Sequence, residues 1–337
     1  MKILVVSQMW PSEAEPDFGS FVAQVCRALE QQGHELEVVA IDKRGQRRAK
    51  YLRLARDAKR AARRFEPDVV YGHFLTFAGP AAVRAGRAAG APVVLTAHGT
   101  DVGNVERSAF AKRLTRWATR RASRVIAVSD WLRMRLVAEL PELADKIDVV
   151  DCGVDMELFR ARDGRECRVR VGWEGEGPYY LFVGTLDERK NVLPLVQAFT
   201  RLDEGSLAIV GAGPLRDELR DRPRVKLWPP VSHAQIAEWM AAADYVCQPT
   251  DGEAFGQAIL EAMACERSVL ATTRGGPPEF VPPEAGVLVD PTADGAIERG
   301  LRELARLPSP NPAARAAAAK HDVRVQASRI AEILQSA

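Results

Sequence analysis

The segment Asp251-Gly-Glu253-Ala-Phe255-Gly256-Gln257, continuing through Glu261 to Cys265, sets two carboxylates eight residues apart around a glycine loop that opens a helix. A strand, a glycine-containing loop and a helix N-terminus in that order make an anion site. The first N–H groups of a helix lack partners, and the helix dipole favours negative charge there. Glu253 falls before the helix, and Glu261 about two turns further on at 3.6 residues per turn. Carboxylates accept hydrogen bonds from hydroxyls. A phosphate flanked by them therefore suits a ligand rich in sugar hydroxyls. The bland alternative is a loop acid and a surface helix acid, both solvated.

The stretch Val183-Gly184-Thr185-Leu186-Asp187-Glu188-Arg189-Lys190-Asn191 repeats that order. Arg189 and Lys190 fall at a helix start, where cations oppose the dipole. Paired cations there suggest a bound phosphate that they help to neutralise; the alternative is a solvated basic turn. In Thr96-Ala97-His98-Gly99-Thr100-Asp101, His98 follows a strand. Ligands bind at the carboxyl ends of parallel strands, and a histidine there titrates near neutrality and can donate to a substrate oxygen, unless it only bonds backbone. The other histidines hold less telling places: His34 in a turn, His73 at the end of an apolar strand, His233 in a loop, His321 in the tail. Gly211-Ala-Gly213 lacks the third glycine of a dinucleotide fingerprint. Gly19-Ser20 and Gly275-Gly276 read as turns.

Twelve short apolar runs must position these residues. They are Ile3-Ser7, Leu36-Ile41, Asp68-Phe74, Val93-Ala97, Arg124-Ser129 and Ile147-Asp151, then Tyr179-Gly184, Ser206-Gly211, Val225-Leu227, Tyr245-Gln248, Ser268-Thr272 and Gly286-Asp290. Helix-period segments such as Phe21-Gln32 and Leu193-Leu202 lie between most of them. Continuous apolar strands alternating with helices predict parallel sheets covered on both faces, hence an α/β fold of two doubly wound domains. The junction falls within Gly153-Pro178, which has no sustained periodicity; the domains are read as 1–158 and 159–320. Pro308, Pro310 and Pro312 break the chain before a last helix, within 321–337, whose apolar stripe must find a surface on one of the domains.

With 337 residues, 47% hydrophobic and 27% charged, the chain is of globular composition, which excludes a disordered polymer. No apolar run reaches the roughly 18 residues of a membrane span, and Ile3 to Val6 is too short for a secretory core. Five widely spaced cysteines give neither a disulfide framework nor a zinc pattern. A cytoplasmic location is expected. Charge is uneven: residues 1–160 carry a net +6 and the remainder −4. Residues 43–64 hold eleven basic residues and one acid, Asp57, and a second run comprises Lys112, Arg113, Arg116, Arg120, Arg121 and Arg124. A helix through the first run would bury Tyr51, Ala55, Ala58, Ala62 and Phe65 and turn its cations outward. Nucleic acid is not the expected partner, since no recognition motif accompanies the charge. An anionic membrane surface is, with peripheral docking of the N-terminal domain on the inner leaflet.

Taken in order, these segments resemble the retaining glycosyltransferases of family 4, of GT-B architecture. The resemblance runs through Pro11…Gly19-Ser20-Phe21, Gly33-His34-Glu35, His98-Gly99-Thr100-Asp101, Val128-Ser129 and Gly153-Val154-Asp155…Phe159. It continues through Val183-Gly184…Arg189-Lys190-Asn191, Gly211-Ala212-Gly213-Pro214, Ala243-Asp244, Glu253-Ala-Phe-Gly…Glu261-Ala-Met-Ala and Gly275-Gly276-Pro277-Pro278-Glu279. Three positions depart from the family pattern: Thr185 where many relatives carry Arg, Glu266 where glycine is common, and Cys152 where Asn is familiar.

The resemblance implies two Rossmann-like domains facing across a cleft, with a C-terminal helix. It implies a hexosyltransferase that moves a sugar from a nucleoside-diphosphate sugar to an acceptor hydroxyl with retention, in polysaccharide or glycolipid assembly. No cofactor or metal is expected. Lys190, helped by Arg189, would hold the pyrophosphate together with the N–H groups of Phe255, Gly256 and Gln257. Glu253 would meet the transferred sugar, Glu261 the ribose, Gly19 the donor phosphate and His98 the sugar. Asp101 would orient the His98 loop or meet a glycan or lipid-linked acceptor. A sugar-nucleotide epimerase on the same architecture, or a catalytically silent nucleotide-sugar- or glycan-binding protein, are the alternatives.

Overall fold

The structure, a computed structural model, describes residues 1–45 and 49–337. The chain divides into two units, Met1–Gly153 with Val323–Ala337, and Val154–Asp322. Residues 154–158, read above with the first half, lie in the second unit. There the Val154 N–H bonds the His321 carbonyl at 2.8 Å, Val154 bridges to Asp322, and Phe159 is fully buried.

The first unit runs β1 (Lys2–Ser7), α1 (Ser20–Gln31), β2 (Glu35–Ala40), α2 (Ala49–Phe65), β3 (Val69–His73), α3 (Ala78–Ala89), β4 (Val93–Ala97), α4 (Thr100–Arg107), α5 (Ala109–Thr119), β5 (Arg124–Ala127), α6 (Asp130–Glu139) and β6 (Ile147–Val149). Its six strands form one parallel sheet in the order β2-β1-β3-β4-β5-β6. Val5 on β1 faces Val38 and Tyr71 on its two neighbours. The inner strands β3 and β4 are buried throughout, as unbroken apolar runs under helices on both faces require.

The second unit runs α7 (Gly164–Val171), β7 (Tyr179–Val183), α8 (Val192–Thr200), β8 (Ser206–Val210), β9 (Val225–Trp228), α9 (His233–Ala242), β10 (Tyr245–Gln248), α10 (Gln257–Ala264), β11 (Ser268–Thr272), β12 (Gly286–Val289), α11 (Ala296–Leu304) and α12 (Pro312–Ala318). Its parallel sheet has the order β12-β11-β10-β7-β8-β9. Tyr180, Phe182, Leu195, Phe199, Leu207 and Ile209 lie in its core. All twelve strands stand where the apolar runs predict, with ends differing by a residue or two.

The last helix, α13 (Val323–Gln335), belongs to the first unit and buries Val323, Ala327, Ile330 and Leu334. The Gln32 side chain donates to the Arg324 carbonyl at 2.8 Å, and Arg329 donates to the Val149 carbonyl at 3.0 Å. Two expectations are corrected. Gly153–Pro178 does hold a helix, α7, which Asp163 caps by accepting from Glu166 N–H and which ends at Gly172, φ +69°. In addition, α2 buries Leu54 and Ala61 beside Ala58 and Ala62, while Tyr51, Ala55 and Phe65 are only half-buried.

Candidate functional site

In each sheet the strand order reverses at one place, between β1 and β3 and between β10 and β7. Loops leaving the carboxyl ends of the strands on either side of such a point diverge and open a crevice. In the second unit these are the loops after β7 and β10, and they are laced together. The Gln248 amide donates to the Val183 carbonyl, the Asn191 amide to the Pro249 carbonyl, and the Asp251 N–H to the Arg189 carbonyl, each at 2.8 Å.

This lacing brings Lys190 Nζ to 2.7 Å from Glu253 Oε2, with the two side chains 18% and 17% exposed. Burial alone would raise the Glu253 pKa. Lys190, then Arg189 and the Phe255 N–H, outweigh it and hold the carboxyl below its ordinary range. Arg189 is itself exposed. Neither cation stands on the helix as expected. Both lie in a 3₁₀ turn, Glu188–Lys190, and Asn191 at φ +52° separates them from α8. The turn is capped by Asp187, whose carboxylate accepts from the Lys190 N–H at 3.1 Å.

Gly256 precedes α10 at φ +108°, and no side chain caps that helix. A Cβ at this glycine would meet Ile259 at 3.0 Å and Pro277 at 3.3 Å, so both conformation and space call for glycine. Gln257 is the first residue of α10, and Phe255 is buried against Phe280. Glu261 is buried within α10, not on its surface, and its Oε1 lies 2.8 Å from His233 Nε2. His233 was placed in a loop by its sequence; it opens α9. The Glu253 backbone pairs with Gly275, and its carbonyl accepts from the Gly276 N–H at 2.9 Å. The Gly275-Gly276 turn is therefore part of this site's floor.

In the first unit, Gly19 opens α1 at φ +83° with no side-chain cap, and a Cβ there would lie 2.7 Å from the Met9 carbonyl carbon. His98 Nε2 is 3.0 Å from His73 Nδ1, and His98 Nδ1 is 3.8 Å from Cys152 Sγ. Phe21 and Phe74 pack on its ring, with centroids at 5.0 and 4.7 Å. Phe74 holds φ +76°, a strained conformation for a bulky residue. The expectation that His98 titrates near neutrality is not met. Burial, reinforced by His73, pushes its pKa well below the usual value, and burial pushes His73 down to about 3. Both rings are neutral at physiological pH.

Asp101 is buried, and its carboxylate accepts from backbone N–H groups. Its Oδ1 accepts from Leu75 N–H at 2.7 Å and Thr76 N–H at 3.3 Å, and its Oδ2 accepts from His98 N–H at 3.1 Å. Burial raises its pKa to about 6 against the opposing pull of these N–H groups. His73 and His233 were passed over in the sequence. Each stands behind a flagged residue, 25 and 28 positions away, and no spacing rule reaches that far.

The two basic runs differ. Along α2, Arg53 and Arg56 share Asp57, and Arg64 pairs with Glu37. Lys59, Arg60 and Arg63 are exposed and form no ion pair among the described residues, and Leu52 beside them is 77% exposed. Arg47 and Arg48 lie outside the described residues. The run 112–124 is largely neutralised: Lys112 meets Glu139, Arg116 and Arg120 meet Glu142, and Arg124 meets Asp148. Among the described residues, no group of three or more metal-ligating side chains is assembled, and no helix is long and apolar enough to cross a membrane.

Residues 19–158 match the family model described as Glycosyltransferase Family 4, and residues 177–306 match the one described as Glycosyl transferases group 1. The chain belongs to glycosyltransferase family 4. Among curated members, the D-inositol 3-phosphate glycosyltransferase of Frankia alni is 30% identical over 254 residues, covering 65% of this chain and 61% of its own. That of Mycobacterium bovis is 36% identical over 149 residues, covering 40% and 31%. The chain thus spans about three fifths of the first relative's length and under a third of the second's. Among solved structures, sucrose-phosphate synthase from Thermosynechococcus elongatus superposes with a TM-score of 0.80 at 18% identity, covering 100% of this chain and 98% of its own. Anabaena HepE in complex with UDP-glucose does so at 0.80 and 23%, covering 100% of both. The family 4 member described here has their fold, GT-B.

Proposed function

We propose that this protein transfers a sugar, of hexose type, from a nucleoside-diphosphate sugar to an acceptor hydroxyl with retention of configuration, in the assembly of a polysaccharide or glycolipid. The observation that carries the reading is the Lys190–Glu253 pair beside the uncapped start of α10, at the switch point of the second sheet. The departing nucleoside diphosphate develops negative charge. A cation, a neighbouring cation and N–H groups fixed in advance stabilise that charge without reorganising. Lys190, Arg189 and the N–H groups of Phe255, Gly256 and Gln257 supply them, so no metal is required for this step. Glu253 accepts from hydroxyls of the transferred sugar and Glu261 from the ribose. Gly19 and His98 keep the roles that the resemblance implies, and His98 acts as a neutral imidazole. The acceptor hydroxyl attacks on the side from which the leaving group departs, and the leaving phosphate takes its proton. UDP-glucose, bound by Anabaena HepE, heads the donor panel.

Calorimetry with UDP and other nucleoside diphosphates tests the site. Lys190→Ala is expected to weaken binding by about tenfold to a hundredfold, as for a charged hydrogen-bond partner lost; unchanged affinity sinks the reading. Following the donor alone by NMR separates the classes. Slow hydrolysis accompanies a transferase, a changed sugar marks an epimerase, and no reaction with or without acceptors marks a silent binder. Activity surviving a chelator supports the metal-free step.

The unpaired cations of α2, with Leu52 among them, support docking of this helix on an anionic cytoplasmic leaflet near a lipid-linked acceptor. Each such Lys or Arg near the surface contributes about 1 kcal/mol. Flotation with anionic and neutral vesicles tests it: binding to the former at low salt, lost when Lys59, Arg60 and Arg63 become Gln, is expected. No binding to either returns the patch to a solvated face.

A further inference from the structure

His233 sits at the first position of α9, and the helix start beneath it is fixed by a capping box. The Ser232 hydroxyl accepts from the Gln235 N–H, and the Gln235 side chain accepts from the Ser232 N–H at 3.0 Å. The Phe159 ring lies against the imidazole with centroids 5.0 Å apart. On the far side, Nε2 stands 2.8 Å from Glu261 Oε1, and the two side chains are 14% and 7% exposed. The other ring nitrogen, Nδ1, is buried and has no hydrogen-bond partner.

These contacts decide where the imidazole proton lies. A carboxylate oxygen only accepts, so Nε2 must carry the N–H that faces it. Nδ1 is then a bare lone pair, which a buried site tolerates better than an orphaned N–H. One tautomer and one ring orientation follow, assigned from the hydrogen-bond network. Glu261 Oε1 also lies 3.4 Å from the Gln257 amide nitrogen. Both side-chain donors therefore converge on Oε1, and among the described residues none reaches Oε2. A carboxylate anchored through one oxygen loses its rotamer freedom and presents the other in a fixed place.

We propose that His233 is a positioning residue for nucleoside recognition: by holding Glu261 through Oε1, it reserves Oε2 to accept from the ribose hydroxyls of the donor. This rests on the donor-site reading above. It assigns a task to a residue that touches no part of the ligand, and it makes the ribose, rather than the base or the phosphates, the moiety that senses His233.

The test measures binding of UDP and of its 2′,3′-dideoxy analogue to the full chain by calorimetry. His233→Ala and His233→Phe, the latter keeping a ring against Phe159, are expected to weaken UDP binding by about tenfold, the loss of one hydrogen bond to a charged group. Neither should change affinity for the dideoxy analogue. His233→Gln, whose amide N–H can reach Oε1, should restore most of the UDP affinity. Added to Glu261→Ala, His233→Phe should have no further effect. Equal losses for UDP and the dideoxy analogue would mean a merely structural role and overturn the proposal. If Glu261→Ala itself leaves the preference for ribose unchanged, the donor-site reading of Glu261 fails, and His233's role fails with it.

Discussion

Asp101, in the first turn of α4, and Glu253, in the loop after β10, are both carboxylates near the carboxyl ends of parallel strands, yet their proton affinities move in opposite directions. Asp101 faces backbone N–H groups and no cation, and burial raises its pKa to about 6. For Glu253 burial acts the same way, but Lys190 at 2.7 Å reverses the balance. What separates them is the kind of partner. Backbone donors cannot leave, so Asp101 is a strut that fixes the His98 loop. A lysine can swing to another anion, so the Glu253 pair can open to a ligand.

The severest test of that contrast is Asp101→Ala, which strands the buried N–H groups of Leu75 and Thr76 and the half-buried one of His98. At about 1–3 kcal/mol for each unsatisfied donor, less relaxation of the loop, urea denaturation should show a loss of about 4 kcal/mol. A loss below about 1 kcal/mol would contradict the strut. Next comes pH. The raised pKa of Asp101 means that its stabilisation is fully present below its ordinary value of 3.8 and is lost as pH rises through about 6. The swing is about 3 kcal/mol at about 1.4 kcal/mol per unit, and it should vanish from the stability–pH curve of Asp101→Ala. Glu253 acts with the opposite sign: its contribution is present above the ordinary carboxylate pKa and is lost as pH falls through its lowered one. Lys190→Met should remove that acid-side loss. Because the pair is partly buried, this substitution should also destabilise the protein by about 2 kcal/mol, between the values for exposed and buried pairs. A Lys190→Met, Glu253→Gln double mutant close to the wild type in stability would confirm that the two act as a unit. The smallest effect concerns Glu266, a non-glycine residue that holds φ +60°. Glu266→Gly should change the melting free energy by less than about 1 kcal/mol, relief of strain offsetting added chain entropy.

The strands were legible because parallel strands buried on both faces write unbroken apolar runs, and Val93-Ala97, Tyr245-Gln248 and Ser268-Thr272 match to the residue. Helix α7 was missed although Asp163 and Gly172 mark both its ends, because its arginine-rich body has only one buried residue, Cys167, and no stripe. The flagged site residues in each unit cluster at its switch point or beside it, but their partners were not readable. Glu253 gave no sign in sequence that Lys190, 63 positions earlier, would hold it, and the basic run 112–124 gave none that Glu139, Glu142 and Asp148 would neutralise it. Local spacing reports helix faces and strand ends. Pairing across a sheet depends on topology, which becomes known only when the strand order is.

The return of α13 to the first unit inverts the order in which the two halves are completed during synthesis. Everything in Val154–Asp322 has left the ribosome before Val323 appears, whereas the first unit still lacks the helix that packs on α1. Domains made first ordinarily fold first; here the half begun first is finished last. Until α13 emerges, the α1 face that packs on it has no cover, and a nascent chain paused before Val323 is released would expose an apolar strip to chaperones.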